Sequence, residues 1–132
     1  MAAKKTVLSN LLLDAVLRSV AYTSPAAVYC ALFTVAPAAG TQGTEVSTSG
    51  TAYARTAVTF SAAASGSTSN SGAVTFPVAT ASWGTVVSAA VTAASVAGVD
   101  DQLYFGALTT SKAVGLGDQL SFAIAALVVS ES

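Results

Sequence analysis

The chain has 132 residues, of which 53% are hydrophobic and only 8% charged, against roughly 25% charged in ordinary soluble domains. Five Lys and Arg nearly balance six Asp and Glu, for a formal net charge of −1, so little repulsion holds copies apart and association is the expected behaviour. The absence of histidine removes the commonest general base and neutral metal ligand, which excludes a Ser-His-Asp triad or a Cys-His pair within one chain.

The length fits one domain, with residues 1–24 as an N-terminal arm and helix and residues 25–132 as a β-sandwich. Lys4-Lys5 reads as a solvated pair near a terminus, because chain ends usually fray. A helix follows, with Ser9 or Asn10 as its cap and good helix formers from Leu11 to Arg18. Leu8, Leu12, Ala15 and Val16 share one face, Asp14 and Arg18 form an i, i+4 pair, and Leu13 and Leu17 widen the apolar surface. That width predicts a helix covered on more than one side, within its own domain or by a neighbour. Ser24-Pro25 closes the segment, since the residue before proline disfavours helical geometry.

Strand and turn texture takes over from there. Residues 28–34 are rich in β-formers, and Ala36-Pro37-Ala38-Ala39-Gly40 signals a turn. Residues 40–51 and 65–72, dominated by Gly, Ser, Thr and Asn, read as loops. Between them, Val58 and Phe60 alternate onto one face of a strand over 56–60. Val74, Phe76 and Val78 do the same over 73–78, with Pro77 marking an edge or an end. Strands are expected over 85–94, 102–108 and 120–129, with a turn at 98–101 and a loop at 111–118. The last strand begins with Leu120, Phe122 and Ile124 on one side and ends apolar on both faces. Short strands punctuated by turns, with no alternating helices, predict an all-β sandwich or jelly-roll-like domain with one N-terminal helix.

Chemistry is hard to find in this chain. The single cysteine, Cys30, lies in an apolar run and forms no intrachain disulfide; it reads as a buried structural thiol. Asp100-Asp101 follows Gly98-Val99 and Asp118 follows Gly115-Leu116-Gly117, both read as turns, where Asp bonds nearby backbone N–H groups. No nucleophile elbow, EF-hand loop or dinucleotide fingerprint is present, so no cofactor and no metal are expected. The basic residues Lys4, Lys5, Arg18, Arg55 and Lys112 are scattered, unlike the basic stripe that binds nucleic acid. The longest apolar runs, 26–33 and 123–129, fall well short of the ~20 residues of a membrane-spanning helix. The stretch after Met1 is broken by Asp14 and Arg18 and makes a poor signal-peptide core. Trp83 and the tyrosines are the residues a sugar would stack on, with core or subunit contact as the plainer reading.

Several ordered strings resemble a family of small tailed-bacteriophage virion proteins. They are Tyr22-Thr23-Ser24-Pro25, Tyr29-Cys30-Ala31-Leu32-Phe33-Thr34, Gly43-Thr44-Glu45-Val46-Ser47 and Tyr53-Ala54-Arg55 in the first half. The second half adds residues 75–86 around Trp83, residues 106–112, Gly117-Asp118 and Leu120-Ser121-Phe122. The chain departs from the family pattern over 88–101, where relatives carry a His-containing segment and this chain has Ser88-Ala89-Ala90-Val91. Members are labelled tail-fibre, minor tail or head-decoration proteins.

The resemblance implies a non-catalytic virion component, assembled in the host cytoplasm. Its expected partners are copies of itself, a trimer foremost, and other virion proteins such as the major capsid protein. A capsid decoration (cement) protein is the leading expectation; a tail-fibre or minor-tail subunit that binds host glycan is the alternative. The candidate interaction residues are Leu12, Leu13, Val16 and Leu17 on the helix, with Glu45, Tyr53, Arg55 and Trp83 in the β region. Arg55 stands either as an interface anchor or as a tie between a loop and the sheet.

Overall fold

A computed structural model describes residues 3–97 and 101–131. In chain order its elements are β1 (Ala3–Lys4), α1 (Thr6–Leu17), β2 (Val28–Val35), β3 (Thr44–Glu45), β4 (Thr56–Val58), β5 (Ser67–Ser69), β6 (Val74–Thr75), β7 (Gly84–Thr92), β8 (Gln102–Val114), β9 (Ser121–Phe122) and β10 (Val128–Ser130). The chain is all-β with one N-terminal helix. Six strands form an antiparallel sheet in the order β1-β8-β7-β2-β3, with β4 also paired to β2. Two short ribbons, β5-β10 and β6-β9, complete the strand pairing.

The long strands at the centre follow from composition. β2 is Val-Tyr-Cys-Ala-Leu-Phe-Thr-Val, β-branched and aromatic nearly throughout, and it is buried on both faces from Cys30 to Phe33. Alternation then sorts the side chains. Cys30, Leu32 and Ala89 face the main core, where Val58, Val74, Phe76, Trp83 and Leu120 join them. Ala31, Phe33 and Ala90 face the other way and pack with Phe105. The β6-β9 ribbon thus covers one face of the sheet and supplies the second layer of the core. Each fully buried Phe, Leu or Val there stabilises the fold by about 1.5–3 kcal/mol.

Both β3 and β4 use the same edge of β2, pairing at Phe33 and Val35 and at Val28 to Cys30 respectively. Between them Leu32 has no strand neighbour on that side. Its N–H instead donates to the Tyr53 hydroxyl at 3.0 Å, and its carbonyl accepts from Val46 N–H at 3.0 Å. The strand break therefore leaves no buried backbone group unpaired there.

At the far side of the sheet the register of β8 shifts against β7. Val86 pairs with Lys112 and Ser88 with Ala107, so residues 108–111 lie opposite Val87 alone. The expected loop over 111–118 accordingly begins later, because β8 resumes pairing after this bulge and runs to Val114.

Other boundaries differ for tertiary reasons. The helix starts at Thr6, with Lys5 rather than Ser9 or Asn10 at its cap position and no side-chain cap. Thr6 N–H finds its acceptor in the carbonyl of Ala39, 2.9 Å away in a distant turn, so no local cap is required. The helix stops at Leu17, well before Pro25, where Ser19 takes a left-handed φ of 57° and Arg18 and Val20 N–H both donate to Asp14 O. Residues 40–51 include β3, and residues 65–72 include β5, which pairs with β10. The final strand expected over 120–129 is two strands. A turn with Ala125 at φ 66° separates β9 from β10, and Ile124 points outward instead of following Leu120 and Phe122 inward. Asn70 holds that turn: its Nδ2 donates to Gly72 O and Ala123 O, and its Oδ1 accepts from Leu127 N–H at 2.9 Å.

Candidate functional site

The N-terminal arm is fastened by two adjacent lysines where β1 leads into α1. Lys4 pairs with Glu131, whose other carboxylate oxygen accepts from Tyr104 Oη at 2.6 Å. The bonds from Lys4 and Tyr104 hold the Glu131 carboxyl below the usual range, outweighing the small opposing effect of burial. Lys5 is buried, not a solvated tail. Its ammonium donates to the carbonyls of Ala38 (2.6 Å) and Thr41 and lies 5.8 Å from the Phe105 ring centroid. Burial of the stem and bonding of the head offset the cost of taking the charge out of water.

From this anchored start α1 carries its apolar side chains into the open. Leu8 is its one buried residue and Leu12 is half-buried, whereas Leu13, Val16 and Leu17 are 56%, 79% and 74% exposed. Asp14 and Arg18 form the expected i, i+4 ion pair at 3.0 Å. The helix is therefore uncovered along most of its length, and its composition is not that of a solvent-facing surface.

The other four candidates stand together, inside the fold. Arg55 presents its fork to Glu45, with Nε 2.9 Å from Oε2 and Nη2 2.7 Å from Oε1. Its Nη1 reaches Asp101 Oδ2 at 2.6 Å and the carbonyls of Ala94 (3.0 Å) and Val96 (3.3 Å). The Arg55 side chain is 3% exposed. Burial alone would lower its pKa, but the bonds to Glu45 and Asp101 outweigh that and raise it. The geometry ties β3 and the segment after β7 to the start of β8, and every bond it shows is internal.

Tyr53 belongs to the same unit. Its hydroxyl donates to Glu45 Oε2 at 2.7 Å while accepting from Leu32 N–H. Burial, reinforced by the Glu45 bond, pushes this phenol well above the ordinary tyrosine range. Trp83 packs edge-on to Tyr53 with ring centroids 5.4 Å apart, and its Nε1 donates to Thr51 O at 2.8 Å. Both rings are buried core, so neither offers a face to a sugar.

Little here supports bond-making chemistry. Cys30 is buried, and desolvation pushes its thiol up to about 12, far from a thiolate at neutral pH. Asp118 caps its own turn, its Oδ2 accepting from Gly115 N–H at 2.9 Å. Asp101 is engaged by Arg55; Asp100 lies outside the described residues. Among the described residues no group of three or more His, Cys, Asp or Glu could hold a metal ion, and no helix is long and apolar enough to cross a membrane. Sequence reasoning missed Lys5 and Asn70 as structural ties. An Asn closing a Ser-Thr-Ser strand was the only local signal for the second.

No curated protein matches the chain. The family model described as Podophage GP4 fiber I protein gp80 matches residues 3–130, nearly all of it. The chain belongs to this family of podophage fibre proteins and is a phage structural protein.

Proposed function

We propose that the chain is a non-catalytic subunit of a virion fibre, acting by contact with copies of itself and with neighbouring virion proteins. The observation that carries this reading is the uncovered apolar run of α1, with Leu13, Val16 and Leu17 in the open on a chain with almost no charge. Such a surface stabilises an assembly by roughly 25 cal/mol per Å2 removed from water. The family description favours the fibre over the head-decoration reading. Trp83 offers no platform for a glycan, since its ring lies in the core.

A homo-oligomer is the functional form in this reading, with three chains as the expected mass. Cryo-electron microscopy of the phage particle tests it: density assignable to this chain in a fibre is the expected result. Density confined to the head shell would overturn it, and so would turnover traceable to the chain's own residues.

A further inference from the structure

The molecule carries a knob and a hole on different faces. Beside the β5-β10 ribbon lies an apolar cavity of about 300 Å3, lined by Val28, Phe60, Val91, Leu103 and Val129, with Tyr104 and Glu131 also in its wall. A dry cavity of about 150 Å3 accommodates one benzene-sized group, so this one has room for two aliphatic side chains. Leu13 and Leu17, one helical turn apart, are such a pair.

The two features cannot meet within one copy as it is folded. Pairing and alternation put Val28, Val91, Tyr104 and Lys4 on one face of the sheet, the cavity side. Phe105, Ala31, Ala90 and Phe33 occupy the other. Lys5, which leads into α1, lies against the Phe105 ring on that second face. Reaching its own cavity would require α1 to unzip β1 from β8 and release Lys5 from Ala38 and Thr41.

We infer that α1 of one copy seats Leu13 and Leu17 in the apolar cavity of the next, giving a head-to-tail contact between identical chains. The inference deepens the contact-based reading above and rests on it. Charge permits the contact: Asp14 with Arg18 on the helix, and Lys4 with Glu131 by the cavity, are each internally neutral pairs. Leu13, Val16 and Leu17 share one side of the helix, so a copy that takes up the two leucines also covers Val16, 79% exposed in the single chain. A contact between two different patches closes into a ring when its rotation permits, and otherwise continues as a filament.

Two variants of the full chain test this. Leu13→Glu with Leu17→Glu spoils the knob at exposed positions, and Ala63→Trp, at an exposed residue lining the cavity, plugs the hole. Circular dichroism melting confirms that each is folded. By sedimentation or light scattering the wild type runs as a multiple of the chain mass, and each variant alone as a single chain. Mixed one to one, they recover a dimer and nothing larger, because the mixture holds one intact knob and one intact hole. A monomeric wild type overturns the inference and leaves the cavity to another occupant, an apolar ligand or a different virion protein. Wild-type assembly by the Ala63→Trp chain overturns it as well, since the helices then meet by another route. Neither failure touches placement in the fibre, which is read from the particle.

Discussion

Replacing Arg55 by Met keeps the volume of the side chain's stem and removes the fork that Glu45 and Asp101 share. Both carboxylates are then left without the cation that holds them, at side-chain exposures of 16% and 9%. Breaking a buried ion pair by removing one partner costs about 3–5 kcal/mol, mostly through the orphaned charge. Glu45 is closer to water than a fully enclosed group and keeps its Tyr53 bond, which favours the lower end. For a domain of this length each kcal/mol moves Tm by about 3–5 °C, so R55M is expected to melt about 10–15 °C below the wild type. Against a total stability of about 5–15 kcal/mol, that is a large fraction. Differential scanning calorimetry at one protein concentration measures it, with the mass of the species recorded alongside because assembly raises apparent stability. A double-mutant cycle with Glu45→Gln should return a coupling of about 0.5–3 kcal/mol. A Tm within about 3 °C of wild type, combined with loss of assembly, would refute the internal role and make Arg55 an interface anchor.

Tyr53→Phe leaves Leu32 N–H facing the gap between β3 and β4 without its acceptor; the expected cost is about 1–3 kcal/mol in urea unfolding, and an unchanged midpoint would refute that account. Cys30 should react with thiol reagents in the native state at the rate of chain unfolding, with no plateau near pH 8.5; fast labelling of the folded chain would contradict its burial. Glu131 has a folded pKa below its unfolded value of about 4.3. Its contribution is therefore present in full above that value and is lost as pH falls through the lower, folded one. The Tm gap between wild type and Glu131→Gln should be small and salt-sensitive at pH 7 and should narrow progressively as pH falls below about 4.3. A gap independent of pH would show that Lys4 and Tyr104 do not act through the carboxylate.

The parts of this fold legible in the sequence are those written as local pattern. β2 and β7 lie close to where the β-branched runs put them, Val58 and Phe60 share the core face, and the Asp14–Arg18 pair forms on the helix. Elements that exist because of a distant partner were not legible. β3 is only Thr44–Glu45 and β5 only Ser-Thr-Ser, with no apolar alternation to announce them. The helix begins early because Lys5 and Thr6 bond to a turn more than thirty residues away. The candidate site divides in the same way. The breadth of the apolar surface on α1 was visible in Leu12, Leu13, Val16 and Leu17, whereas the Arg55 lock joins groups 10 and 46 residues apart. Sequence alone could name Arg55 and Glu45 but could not show which way the fork turns.

The bulge of residues 108–111 on β8 bears on a hazard peculiar to so uncharged a chain. Beyond the residues covered by β1 and by Lys5, whose N–H donates to Leu103 O, this long strand pairs with no further strand on its outer side among the described residues. A straight ladder there would invite lateral zippering into ever-wider sheets wherever many copies are crowded together. The bulge interrupts the row of donors and acceptors, with Lys112 just beyond it. Lateral growth by strand addition is thereby discouraged, which leaves side-chain surfaces to decide how one subunit meets the next.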